Sequence, residues 1–159
     1  MTGTTSRRKG ATAEVALANY LQRNGWPEAR RAVVTGYRNG DTEIADPGDV
    51  RGTAGIVWSV KNYAEDQVNK RIDQWMRELD AMNGLGDQLG GLPLLVVKRA
   101  GQANPASWWC YLRLRWLDEL RGIRPDRIDA EQHPVRLELA TTVELLHHAG
   151  YSRPIEASA

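Results

Sequence analysis

The alternation of apolar and polar positions divides this chain into a short series of helices and strands. From about Arg8 to Asn24 apolar residues recur at helical spacing (Val15, Leu17, Ala18, Leu21), and Gly25 followed by Pro27 supplies the stop. Ala32-Val33-Val34-Thr35 is a β-branched run ended by Gly36 and the Arg38-Asn39-Gly40-Asp41 turn, so a strand and turn fit it better than a helix. After Asp46-Pro47-Gly48, Asp49-Val50 opens a short strand. Gly55 to Lys61 makes another, whose continuous apolar character predicts a central position in a sheet.

Asp66 to Asn83 carries Val68, Ile72, Trp75, Leu79 and Met82 three or four apart, the stripe of a second helix. Gly84, Gly86, Gly90 and Gly91 break the chain before Leu92 to Lys98, a buried strand, and Ser107 to Leu114 follows as its hairpin partner after the Gly101–Pro105 loop. A helical stretch at Trp116 to Leu120 precedes an irregular excursion over 121–136, and Glu138 to His148 forms a last helix capped by Gly150. The order predicts an α/β fold with a mixed five-stranded sheet flanked by helices. Its expected extent is one domain over 8–152 with an insertion at 116–138, between a tail at 1–7 and another at 153–159.

At 159 residues the chain suits one domain with a genuine core. With 42% apolar and 26% charged residues and no apolar run near the roughly 20 residues of a membrane span, a soluble globular protein is expected. Met1 to Gly10 is polar and basic without an apolar h-region, so no secretory signal is expected and the cytoplasm is the expected compartment. The lone Cys110, between Trp109 and Tyr111, reads as a buried reduced thiol, and three histidines with one cysteine are too few for structural zinc. His147-His148 reads as a helix-end pair. The six tryptophans accompany a complete lack of Phe, which points to packing at Trp58, Trp75, Trp108 and Trp116 ahead of base stacking.

Net charge is +1, but residues 1–40 carry seven Lys/Arg against Glu14 and Glu28, and Asp41, Glu43, Asp46 and Asp49 follow directly. A basic flank beside a carboxylate cluster suits a polyanion held against a cation, although a solvated charged surface gives the same pattern. Phosphodiester hydrolysis needs a divalent cation to neutralise phosphoryl charge and to lower the pKa of a bound water. Magnesium takes oxygen ligands, one or two carboxylates plus waters and phosphate oxygens, and a nearby lysine can orient the water or stabilise developing charge. Asp49 and Lys61 on adjacent strands, with Glu14 on the first helix, have the residue types for this chemistry. Each also has a plain reading: Glu14 as the flank of an amphipathic helix, Asp49 as a turn aspartate, Lys61 as a strand-end lysine reaching for water.

Arg8-Lys9-Gly10 with Glu14, then Gly48-Asp49-Val50, then Val57-x-x-Val60-Lys61-Asn62 resembles the phage and archaeal Holliday-junction resolvases of the PD-(D/E)XK nuclease superfamily. The resemblance runs on through Trp75 and Glu78 and through Val96-Val97-Lys98-Arg99, and Leu145 to Tyr151 resembles the end of actinobacteriophage members. It implies a restriction-endonuclease-like fold and a homodimer that cuts four-way DNA junctions with magnesium, or manganese in its place. By the same resemblance Glu14 is the helix carboxylate, Asp49 the principal metal ligand, Lys61 the catalytic lysine, and Arg8, Lys9, Arg31 and Lys98 phosphate contacts.

Ser59 departs from the pattern, which has Glu there, and a hydroxyl is a far weaker magnesium ligand. Some restriction endonucleases of the superfamily have Ser-x-Lys with the glutamate supplied by the following helix. On this chain Glu78, about 80° from the centre of the apolar face, is the favoured substitute, Asp73 points to solvent, and Asp46 or Glu43 is the less favoured source. The plain alternative for Glu78 is a surface contact to Arg71 or Gln74. Two rival functions remain: a DNA-binding protein that has lost cleavage, and a nuclease of the same fold acting on flaps or duplex ends.

Overall fold

A computed structural model describes residues 3–32, 48–84, 91–123 and 132–152. The expected strand residues Val33 to Thr35, the Arg38–Asp41 turn, Glu43, Asp46 and the tail at 153–159 lie outside them, as does the middle of the expected insertion. The first helix, α1, spans Gly3–Arg23. It begins inside the stretch expected to be a tail, because residues 3–7 hold no proline and adding turns to a formed helix costs far less than nucleating one. Two short strands, β1 (Arg30–Arg31) and β2 (Val50–Arg51), pair antiparallel.

The main sheet has four strands: β3 (Ile56–Lys61), β4 (Leu92–Val97), β5 (Trp109–Arg113) and β6 (Pro134–Glu138), in that spatial order. β3 and β4 run parallel, joined through the helix α2 (Glu65–Gly84), and the other two pairings are antiparallel. Two shorter helices, α3 (Leu114–Leu120) and α4 (Leu139–His148), follow β5 and β6. The architecture is therefore α/β with a mixed sheet flanked by helices, but among the described residues the sheet is four-stranded, not five-stranded. β6 replaces part of the expected irregular excursion. Its proline opens the strand and lies at the sheet edge, the place where a missing N–H is tolerated.

β3 is also not central among the described strands, since only β4 pairs with it by ladder. Its burial comes from its two faces and from a loop that covers its free edge. Ile56, Trp58 and Val60 join one core with Leu17 and Leu21 of α1, Leu94 and Val96 of β4, and Leu139 and Leu146 of α4. Val57 faces the other way, into a second core with Leu95, Val97 and Tyr111, under Val68, Trp75, Met76 and Leu79 of α2. The alternation of side chains along a strand thus splits the core in two, one layer on each side of the sheet. Trp58, Trp75 and Trp108 are buried as expected and Trp116 is half-buried; Cys110 is fully buried, and burial pushes its thiol up to about 12. No helix among the described residues is long and apolar enough to cross a membrane.

One ion pair ties α2 to the sheet. Arg113 Nε and Nη2 donate to Asp80 Oδ2 at 3.0 and 2.7 Å, and Nη1 donates to the Gln132 carbonyl at 2.6 Å. The Arg113 side chain is only 11% exposed, so removing its partner strands a desolvated charge. Asp80→Ala is expected to cost roughly 3 kcal/mol of stability, read by urea unfolding, and a loss below ~1 kcal/mol means the pair is solvated.

Candidate active site

The turn before β2 is pressed against β3 by a shortage of space that only glycine meets. Gly48 has φ +111°, and a Cβ there would lie 2.5 Å from the Trp58 carbonyl oxygen. The close approach lets Asp49 N donate to Trp58 O at 2.7 Å, while Val60 N donates to Asp49 Oδ2 at 2.6 Å. The Asp49 carbonyl, which a regular ladder would offer to β3, accepts from Ala32 N instead. A carboxylate therefore occupies the acceptor position of a missing strand, and this is why β1 and β2 do not continue the main sheet.

Asp49 is half-buried, and burial is the largest influence on it, pushing its carboxyl above the usual range. The Val60 N–H draws it back down, the neighbouring Glu14 charge pushes it further up, and Lys61 and Arg31 draw it down. Glu14, Asp49, Lys61 and Arg31 thus form one electrostatic group drawn from α1, the β2 turn, β3 and β1. Within it Arg31 Nε donates to Glu14 Oε2 at 2.5 Å, so Arg31 is held by a carboxylate. Lys61 ends β3 with its Nζ 5.8 Å from the centre of the Trp75 ring. Trp75, read in the sequence as a core residue and as part of the resemblance, lies on the α2 face that opposes β3.

The remaining expected site residues are distributed around this group. Arg8 and Lys9 are exposed on α1, and Asn62 Nδ2 donates to the Lys9 carbonyl at 3.1 Å, fastening this basic turn to the end of β3. Lys98 follows β4, where its N–H donates to the Lys61 carbonyl at 2.9 Å. Ser59 is buried, 8% exposed, and lies opposite Leu95 in the sheet. Glu78 is exposed and accepts from Gln74 on its own helix at 2.9 Å, the surface contact that was its plain alternative. It is not among the charges that act on Asp49. His147 and His148 lie in the last turn of α4, with the His147 ring against Trp26.

Among the described residues no three His, Cys, Asp or Glu side chains gather as a metal cluster. Among the described residues Asp49 and Glu14 are the carboxylates that could hold a cation here, and oxygen ligands of this number, completed by water and phosphate, suit magnesium. A desolvated carboxylate beside another negative charge is a place where a cation relieves repulsion. Comparison of the chain with protein-family models, curated proteins and solved structures finds no match.

Gly48→Ala is expected to cost roughly 1–3 kcal/mol, because the added Cβ meets main-chain atoms and the residue adopts a left-handed backbone. The same substitution moves Asp49 off the Val60 N–H, which amide exchange at Val60 will report as lost protection. Unchanged protection contradicts the role given to Gly48.

Proposed function

We propose that this protein is a magnesium-dependent DNA endonuclease of restriction-endonuclease-like fold that acts on branched DNA, four-way junctions foremost. The observation that carries the reading is the convergence of Asp49, Glu14 and Lys61 from three elements on one edge of the sheet. Such a grouping suits phosphodiester hydrolysis, and a desolvated aspartate influenced by a neighbouring acid and a lysine is the kind of cluster functional sites use. Asp49 and Glu14 would hold the cation, whose contribution when bound is to offset phosphoryl charge and acidify a water. Lys61, carried on a buried strand, positions that water or meets the charge that develops on the phosphate. Arg8 and Lys9, anchored by Asn62, supply phosphate contacts from the α1 side, and Lys98 from the β4 side. Two copies related by a two-fold axis would match the two symmetric scissile strands of a junction.

One observation favours the rival, a nuclease fold that binds DNA without cutting it: position 59 has no carboxylate and Glu78 is exposed beside Gln74. A synthetic four-way junction separates the two. Nicking by the purified protein with magnesium, abolished in Asp49→Asn while junction binding persists, supports the enzyme; binding with no nicking by the parent protein supports the rival. Glu14→Gln is expected to lower cleavage at least 100-fold and Glu78→Gln to leave it within about threefold. Loss on Glu78→Gln equal to that of Asp49→Asn makes Glu78 a third ligand.

The pH behaviour follows from the raised Asp49 carboxyl. Without a cation, the contribution of Asp49 to stability is full below its unfolded pKa of about 3.9 and is lost as pH rises through the higher folded value. Asp49→Asn is therefore expected to melt above the parent protein at pH 7–8 in chelator, with the difference closing toward pH 4. Magnesium should raise the melting temperature of the parent and leave that of Asp49→Asn unmoved. A variant that melts below the parent at neutral pH contradicts the desolvated carboxylate.

A further inference from the structure

We infer that the cavity between the N-terminal half of α2 and the β5–β6 half of the sheet binds an unpaired nucleotide of the DNA strand, with phosphate at the N–H groups of Lys98, Arg99 and Arg136 and base against Tyr63 and the guanidinium face stacked on Trp109. The position of this nucleotide beside the scissile phosphate rests on the nuclease reading; occupancy of the cavity does not. The cavity has a volume of about 120 Å³ and is lined by those five residues together with Tyr111, Val97 and the start of α2.

The register explains why it exists. Val97, Trp109 and Glu138 form one row across the sheet, and Leu95, Tyr111 and Arg136 the next, on the face that α2 covers. α2 covers Leu95, Val97 and Tyr111, but Trp109 is only half-buried and Arg136 is exposed. The far half of this face therefore remains open beside the helix.

Its chemistry is cationic and aromatic. The guanidinium carbons of Arg99 and Arg136 lie 4.1 and 4.3 Å from the centre of the same Trp109 ring. Two cations held on one ring repel each other, and the carboxylate at hand, Glu138, is on Arg99 at 3.4 Å. Among the described residues no carboxylate pairs with Arg136 or Lys98, and Glu65 is the one acid lining the cavity. Arg99 Nη1 is further fixed by the Ser107 carbonyl at 3.0 Å. Stacked guanidinium groups keep their N–H edges for an anion and an outer face for a base, and Tyr63, 41% exposed with the Arg71 guanidinium 5.3 Å from its ring centre, borders the cavity. Positive charge with stacking platforms is the combination that holds single-stranded nucleic acid, and a recess this small has no room for a duplex.

The cavity also adjoins the candidate active site. The Tyr63 ring packs against Trp75, centroids 5.0 Å apart, and Trp75 is the ring beneath Lys61 Nζ. Lys98 is hydrogen-bonded through its main chain to Lys61. A strand with its phosphate at Asp49 and Lys61 thus has a path past Tyr63 into the cavity.

The test is binding of fluorescein-labelled oligothymidylate to the full chain in chelator, followed by anisotropy, with a blunt duplex as control. Arg136→Gln is expected to weaken oligothymidylate binding roughly fivefold or more and to flatten its salt dependence by about 0.7 in the log–log slope. Trp109→Leu should weaken it roughly tenfold or more, and duplex binding should change little in either variant. Failure of the parent to bind oligothymidylate, or equal binding by Arg136→Gln with a parent-like melting temperature, overturns the inference. Equal competition by thymidine monophosphate at matched nucleotide concentration also overturns it, in favour of a free-nucleotide site. Junction cleavage is scored separately: oligothymidylate effects without any cleavage keep this cavity and remove the nuclease reading, and cleavage without those effects does the reverse.

Discussion

The hydrogen bond from Val60 N to the Asp49 carboxylate is the constraint around which the site end of the molecule is arranged. A strand at the edge of a sheet presents unpaired N–H and C=O groups that must find partners. On β3 the turn at Gly48-Asp49 meets them, with the Asp49 N–H on the Trp58 carbonyl and the carboxylate on the Val60 N–H. The edge is closed, and the carboxylate is locked at a known place beside the last residues of the strand. Closure has a cost, since the same geometry desolvates the carboxylate and sets it near Glu14. Fold and chemistry are opposed at this residue: the hydrogen bond favours the ionised form that burial and Glu14 disfavour, and a bound cation would resolve the conflict.

The two faces of β3 explain why the surrounding residues arrive from different directions. Trp58 and Val60 point into the core shared with α1, which brings Glu14 and the Arg8-Lys9 turn to this edge from one side. Val57 points under α2, and by alternation Ser59 and Lys61 share that side, where Trp75 receives the lysine. Position 59 therefore lies in a row with Leu95, Tyr111 and Arg136 beneath a helix. A small hydroxyl suits that covered position, and a carboxylate there would require its own cation or partner to be tolerated.

Much of this was legible in the periodicity of the chain. The stripes in α1, α2 and α4 and the apolar runs of β3 and β4 were strong because each packs on one continuous core face. β6 was not legible, since Pro134, Arg136 and Glu138 are the residues of an edge strand and resemble a loop until Val135 and Leu137 are seen paired with β5. The sheet count failed at Asp49, where a side chain does the work of a main-chain acceptor, something no hydropathy pattern encodes. Glu78 lies farther from the buried face than the sequence suggested. The apolar stripe was drawn without Met76, which is fully buried, and including it turns the centre of the buried face away from Glu78. Asp49, Glu14 and Lys61, singled out in the sequence, lie near enough that the charges of Glu14 and Lys61 act on Asp49.

The placement of the cations follows from topology as much as from composition. In a sheet with a parallel pair joined by a crossover helix, the chain leaves both strands at the same end, and ligands bind where those carboxyl ends open. Here β3 is followed at once by Asn62 and Tyr63, and β4 by Lys98 and Arg99. One segment fastens the basic turn of α1, and the other carries a guanidinium onto Trp109. The main-chain bond from Lys98 to Lys61 holds the two exits side by side. The Asp49 edge and the Trp109 cavity are thus two ends of one surface, with carboxylates at one end and, at the other, Arg99, Lys98 and Arg136, of which Arg99 alone has a carboxylate partner among the described residues. On the proposed reading a strand laid across it would meet charges of the sign it needs at each end, and the parallel pairing of β3 with β4 fixes how the two ends are spaced.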